Sequence, residues 1–229
     1  MSRPHPLDGV IWNALSTRQA HLAEASGQAR RFLPEVSVLA GLVEPTAQAY
    51  ADLAQLCQPG DRVSLWDMRA YEPQPGWEAV AAAPLFQMIL EAPSTDPGVP
   101  SPLIQTLSNS DVPEMLELTR LTRPGPFSQR THELGIYLGI RAEGQLVAMC
   151  GERLRVPGHA EMSAICTHPD HLGSGYAGLL MREVARQMIT RGDVPFLHVR
   201  QDNTRAIGVY KRMGFQVRTS FDFVVLRRT

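Results

Sequence analysis

A chain of 229 residues has room for one large domain or two small ones, each with its own core. Apolar residues make up 44% and charged residues 20%, as in a water-soluble globular protein. The net charge of -1 supplies no global field that would draw the chain to nucleic acid or to an anionic membrane.

The polar opening, residues 1–9, lacks the apolar core of a secretory signal. Cys57, Cys150 and Cys166 are odd in number and widely spaced, a pattern of free thiols in a reducing compartment rather than a disulfide or zinc framework. A cytoplasmic protein with no metal, no membrane and no nucleic-acid partner is expected.

In chain order, Val36–Gly41 predicts a short strand, Pro45–Cys57 a helix and Arg62–Trp66 a strand after the Gln58–Asp61 turn. Trp77–Ala81 and Leu85–Leu90 predict two more strands; Pro84 and Gln87 break the apolar run 79–90, which is too short to span a bilayer. Residues 92–102, with four prolines and a glycine, predict an extended linker. Two units follow: a smaller amino-terminal α/β half over 1–91 and a larger one over 103–229.

In the second unit, Leu103–Leu107 predicts a strand and Ser110–Thr122 a helix, with Asp111 and Glu114 at its positive end. Strands follow at Leu134–Arg141, Gln145–Arg155 and Ala160–Thr167, parted by the turns 142–144 and 157–158. A glycine-rich loop (168–175) then opens a helix to about Arg191. A strand at Pro195–Arg200, a short helix at Asn203–Met213 and a strand at Phe221–Leu226 complete the order. No internal repeat of fixed period is visible.

The segment Ile165–Gly178 carries the chemistry. A strand end and a proline turn lead through Gly173, Ser174 and Gly175 into an amphipathic helix with Ala177, Leu180, Val184 and Met188 on one face. Small residues let a ligand approach the backbone, and the first helical turn offers unpaired amides and the positive end of the dipole, a site for a pyrophosphate. Gly173, Gly175 and Gly178 also satisfy GxGxxG. A nicotinamide fold, however, places that turn directly after its first strand and needs several βα units beyond it. Here five residues separate Thr167 from Gly173 and only two strands remain.

Downstream, His198 lies in a strand, Asn203 opens a helix as a natural cap, and Tyr210 follows two turns later, ahead of Gly214 and Phe215. Taken singly, Tyr210 is a packing aromatic. Together with the glycine loop, the run Asn203, Ala206, Tyr210, Gly214, Phe215 resembles the GNAT superfamily of N-acetyltransferases over residues 101–229. It is most similar to members in which the acyltransferase half follows a diverged amino-terminal half.

The resemblance implies a mixed, mostly antiparallel central sheet flanked by helices. It implies acetyl-CoA as donor and an amine as acceptor, in a monomer or homodimer. Ile165, Cys166 and Thr167 would pair with the pantetheine arm, and Gly173, Ser174, Gly175, Tyr176, Ala177 and Gly178 would hold the pyrophosphate. Asn203 would touch the cofactor near its reactive end, and Tyr210 would protonate the departing thiolate. An amine must lose a proton before it attacks, and His198, with an ordinary pKa of about 6.5, is the first candidate base. Its other reading is a strand histidine that packs and hydrogen-bonds; Glu161 and Glu152 are the rivals. Leu172 stands where the family carries Arg or Gln, which implies weaker CoA binding and leaves a non-catalytic acyl-CoA-binding module as the alternative. The amino-terminal half is expected to be a decayed copy of the same fold covering a sheet edge.

Overall fold

The computed structural model describes residues 5–68, 71–91, 101 and 103–229; the predicted 92–102 linker lies, apart from Ser101, outside the described residues. The first series of elements is α1 (Val10–Ser16), β1 (Ala23–Ser26), β2 (Ala29–Phe32), β3 (Ala40–Leu42), α2 (Ala47–Gln55), β4 (Arg62–Asp67) and β5 (Trp77–Ile89). After β6 (Ile104–Thr106), the second is α3 (Val112–Thr122), β7 (Tyr137–Ala142), β8 (Gln145–Val156), β9 (His159–Thr167), α4 (Tyr176–Thr190), β10 (Val194–Arg200), α5 (Thr204–Arg212) and β11 (Gln216–Arg228).

Eight strands form one mostly antiparallel sheet in the order β4-β11-β5-β10-β9-β8-β7-β6, and β1-β2-β3 form a smaller antiparallel one. Strands from both sides of the proline-rich segment therefore share one sheet. Apart from α5, which has no counterpart in the first, the two series match in order: a helix, a three-stranded meander, a helix, a strand running parallel to the end of the meander, and a long closing strand. In the second series β10 runs parallel to β9. In the first, β4 meets the residue just before β3 through one isolated parallel bridge, Leu39 to Ser64, beside the Ser64 N–H that donates to the Val38 carbonyl at 2.8 Å. The closing strands are exchanged: β5 pairs with β10, β11 pairs with β4, and β5 and β11 pair with each other. The amino-terminal half thus continues the sheet edge instead of standing apart.

Helix α4 explains itself from its sequence. Leu180, Met181, Val184, Ala185 and Met188 are fully or nearly buried on one stripe, packed on β7, β8 and β10 through Leu138, Val147, Cys150 and Leu197. Each large apolar side chain so buried contributes about 1.5–3 kcal/mol. On the opposite face of the sheet, Val10 and Ile11 of α1, with Leu7 just before it, pack against Leu154, Val156 and Phe196.

Strand β5 runs unbroken through Pro84, where a break was expected. The last β10 residue paired with β5 is Arg200, opposite Leu85, and the next contact is the Gln201 N–H donating to the Pro84 carbonyl at 3.1 Å. The missing proline N–H thus faces the side on which the neighbouring strand has just ended, the position a sheet tolerates.

Candidate active site

The parting of β9 and β10 builds the site. They pair only at His159–Val194, Ala160–Pro195 and Glu161–Phe196, and the next residues of each strand diverge. A bulge in β9, with Ala164 at φ 52°, lies between the pairs Met149–Cys166 and Gly151–Ser163 and turns the strand away. The side chain of His198 is 1% exposed although the residue as a whole is half-buried. Its open part is therefore main chain, and because β5 covers its other edge, that part faces the gap. Ser163, Ile165 and Thr167 are half-buried on the far wall. The result is a V-shaped slot with strand edges free to accept an extended ligand.

The slot leads to the amino end of α4. Gly173 (φ 88°) and Gly175 (φ 76°) adopt left-handed backbone, and a Cβ at either would meet no atom within 4 Å. Gly175 is the N-cap, no side chain caps this end, and no acid occupies the first turn. The unpaired amides are open to an anion of pyrophosphate kind. Tyr176, Ala177 and Gly178 form that first turn, half-buried, while Ser174 and Leu172 are exposed, Leu172 by 52%.

On the other side of the slot, the Asn203 side chain caps α5 by accepting from the Ala206 N–H at 3.1 Å. No residue of α5 is buried; Ala206, Ile207, Val209 and Tyr210 are half-buried against the core under α4. Burial, and secondarily the Cys150 thiol, push the Tyr210 phenol well above its usual range, so it keeps its proton. Cys166 packs on the other face of the sheet with Met115, Leu118 and Met149. Its thiol is pushed up to about 11 by burial, against hydrogen bonds with Thr122 and Met149 that lower it. An inert thiol of this kind contributes main chain to the slot, not a nucleophile.

At the apex sits a buried polar network. His198 Nδ1 lies 2.7 Å from Glu161 Oε1, and Glu161 receives Arg153 Nε at 2.9 Å and a second Arg153 nitrogen at 2.5 Å. His198 Nε2 lies 3.0 Å from Gln87 Nε2, which also donates to the Leu7 carbonyl at 3.2 Å; Gln87 Oε1 accepts from Arg218. With the Gln87 oxygen taken by Arg218, its nitrogen donates to His198 Nε2, so the ring proton sits on Nδ1 and points at Glu161. Burial, against an opposing pull from Glu161, keeps the His198 pKa below 6.5. Burial alone would raise Glu161, but the Arg153 guanidinium, helped by His198, brings it down to about 2. His198 is thus neutral, Glu161 ionised, and both ring nitrogens are engaged. Glu152 is tied to Arg191 at 2.6 Å, at the carboxyl end of α4, and burial raises its pKa.

Sequence reasoning singled out His198 and Glu161 but missed their partners. Arg153, Gln87 and Arg218 lie on three different strands, and no spacing along the chain announces that they meet. Among the described residues no three His, Cys, Asp or Glu side chains group as metal ligands, and no helix is long and apolar enough to cross a membrane.

A crystal structure of a protein from Novosphingobium aromaticivorans, assigned to the GNAT family of acetyltransferases, superposes on this chain with a TM-score of 0.92. The two are 38% identical, over 99% of this chain and 100% of the other. The chain belongs to the GNAT family. The FR47-like family model matches residues 137–224, the stretch from β7 into β11 that contains the slot. The N-alpha-acetyltransferase RimI of Mycobacterium tuberculosis is 37% identical over 83 residues, 35% of this chain; the match spans about half, 51%, of that relative's length. A GCN5-related N-acetyltransferase from Kribbella flavida shares the fold over 96% of both chains, with a TM-score of 0.60 at 15% identity. The GNAT fold in this chain thus includes the exchanged closing strands.

Proposed function

We propose that the chain transfers an acetyl group from acetyl-CoA to a primary amine. The observation that carries this reading is the parting of β9 and β10 directly before the uncapped, glycine-led end of α4. The pantetheine arm would lie along Ile165, Cys166 and Thr167, the pyrophosphate on the amides from Gly173 to Gly178, and the thioester at the apex near Asn203 and Tyr210.

The neutral amine attacks the thioester carbonyl carbon; the C–N bond forms, the C–S bond breaks, and the electron pair leaves on sulfur. The Tyr210 phenol gives its proton to that sulfur, and the proton released by nitrogen returns to the tyrosinate through water. A phenol held protonated by burial suits this donor role. His198 fits positioning better than proton abstraction, because its free lone pair is held by Gln87 and its N–H by Glu161. Its ring ties β5, β10 and β9 together where the slot begins. Three buried free thiols accord with a cytoplasmic setting.

Incubation with acetyl-CoA and a panel of amines, following thiol release, tests the reading. Tyr210→Phe should lower kcat by about 10²–10⁴-fold with little change in the KM for acetyl-CoA. Exposed Leu172 favours the alternative, a module that holds acyl-CoA without turnover. Tight CoA binding with no thiol release on any amine would establish that alternative.

A further inference from the structure

Trp66, on β4, bears on two of the side chains that close the apex of the slot. Its ring lies 4.5 Å from that of His198, and the Arg153 guanidinium carbon stands 4.8 Å over it. Those two side chains hold Glu161 from β10 and from β8. One indole from the amino-terminal half thus backs both partners of the carboxylate.

The indole is itself fixed from its own half. Its N–H donates to Ser64 Oγ at 3.2 Å, and the Ser64 N–H donates to the Val38 carbonyl at 2.8 Å, where β4 meets the segment before β3. Trp66 pairs with Phe223 of β11, and its side chain packs in the core under α1 with Leu154 and Phe196. Phe196 and Phe221 stand edge-on to His198 at 5.8 and 5.7 Å, so three aromatic rings surround the imidazole.

Trp66 also lines a cavity of about 860 Å³ that opens between β3 and β4, with Ile11, Trp12, Leu42 and Phe223 in its wall. Among the described residues His198 does not line it, and its side chain is 1% exposed. The indole therefore stands between the imidazole and open space. The charged groups facing His198 are Glu161 from β9, Arg153 from β8 and Arg218 from β11. Arg218 is paired with Asp8, ahead of α1, and β4 and β5 bring the uncharged Trp66 and Gln87. Burial keeps the ring neutral against the pull of Glu161. Protonation would set an Nε2–H against the Gln87 N–H 3.0 Å away, donor against donor, while Arg218 holds the Gln87 oxygen. The tie between β10 and β5 at the apex would break.

We propose that Trp66 is a positioning residue for acetyl transfer: its indole presses His198 and Arg153 onto Glu161 and shields the imidazole from the cavity, which fixes the wall of the slot beside the thioester. The assignment rests on the transferase reading. It gives the amino-terminal half a part in the chemistry of the other half, through one side chain.

The seven histidines of the full chain are labelled with ¹³C at Cε1 and titrated by NMR, and His198→Gln identifies the resonance of interest. The wild-type His198 midpoint lies below 6.5, and in Trp66→Leu it should rise to 6.5 or above. In thiol release, Trp66→Leu should fall at least tenfold below the wild-type kcat at pH 6 and recover to within about threefold at pH 8. Its KM for acetyl-CoA should change little, because the glycine loop is untouched. Trp66→Phe, which keeps a ring against the imidazole, should show both changes in smaller measure. Leu226→Ala, a truncation in the core under α2, should show neither. If the titration shifts as expected but no amine yields thiol release from the wild type, Trp66 still holds the apex and the transferase reading fails. If Trp66→Leu keeps the wild-type titration or, with an active wild type, the wild-type kcat–pH profile, the assignment is overturned. An equal shift in Leu226→Ala also overturns it. Should Trp66→Leu not fold, Trp66→Phe decides, and a wild-type His198 midpoint there counts against the assignment.

Discussion

Glu161 and His198 meet at 2.7 Å across the gap between β9 and β10, at the last rung where the two strands pair. The contact closes the apex of the slot between the two strands, and Arg153 holds the carboxylate from β8 with two hydrogen bonds. Trp66 lies over the Arg153 guanidinium, 4.8 Å away. A carboxylate and a guanidinium, both buried, belong to a network that is costly to break in part and cheaper to remove whole.

Glu161→Gln should therefore destabilise the protein by about 3–5 kcal/mol in urea unfolding, because it leaves the Arg153 charge unpaired. The double change Glu161→Leu with Arg153→Met should cost less than Glu161→Gln alone. A double variant less stable than the single one would show that the pair contributes more than it costs to bury.

The same pair sets the acid limb of stability. His198 has a folded pKa below 6.5, so the unfolded chain takes up its proton first; its contribution is complete above 6.5 and falls away below. Glu161, at about 2 against an ordinary 4.5, contributes fully above 4.5 and loses this as pH falls towards 2. Stability followed by urea unfolding should fall in two stages on acidification. His198→Gln should flatten the upper stage and leave the lower, and a wild-type curve level from pH 7 to 5 would contradict this account.

The slot was legible because its parts are local. A strand, a glycine loop and a helix follow one another from Ile165 to Met188, and periodicity and helix-end chemistry identify them. The amino-terminal α1, β1 and β2 were not. Their runs of 7, 4 and 4 residues are too short for a period to emerge, and the β1–β2 turn rests on Gly27, which packs against the distant Asp52. The single strand Trp77–Ile89 was divided at Pro84 because propensity cannot know that β10 ends beside it. The exchange of β5 and β11 is a purely non-local fact, as is the meeting of Gln87, His198 and Arg218.

At the loop, Gly175→Ala should add backbone strain of about 1 kcal/mol, since its φ of 76° disfavours a Cβ, and set a methyl group where a phosphate would lie. The KM for acetyl-CoA should rise at least tenfold. Leu172→Arg puts a cation where the GNAT resemblance implies Arg or Gln. It should lower that KM several-fold at low salt and change Tm little, because Leu172 is 52% exposed. An unchanged KM in both variants would remove the pyrophosphate from this loop.

Gly41, on β3, allows a close approach of α1. A Cβ there would fall 2.5 Å from the Trp12 main-chain nitrogen and 2.8 Å from its Cα. At Gly139 on β7 the nearest atoms are as close, 2.6 Å, but belong to the tips of Leu146 and Leu107, which can turn aside. Main chain cannot yield in that way, so Gly41→Ala must push α1 off the sheet. A loss of about 1–3 kcal/mol is expected, larger than for Gly139→Ala, by urea unfolding of the two variants in parallel. Trp12, in α1, would move with the helix, so Gly41→Ala should also shift the tryptophan emission maximum in the folded state, while Gly139→Ala should not. The reverse ranking would mean that α1 is free to slide over β3, and that its seat on the sheet is not fixed by Gly41.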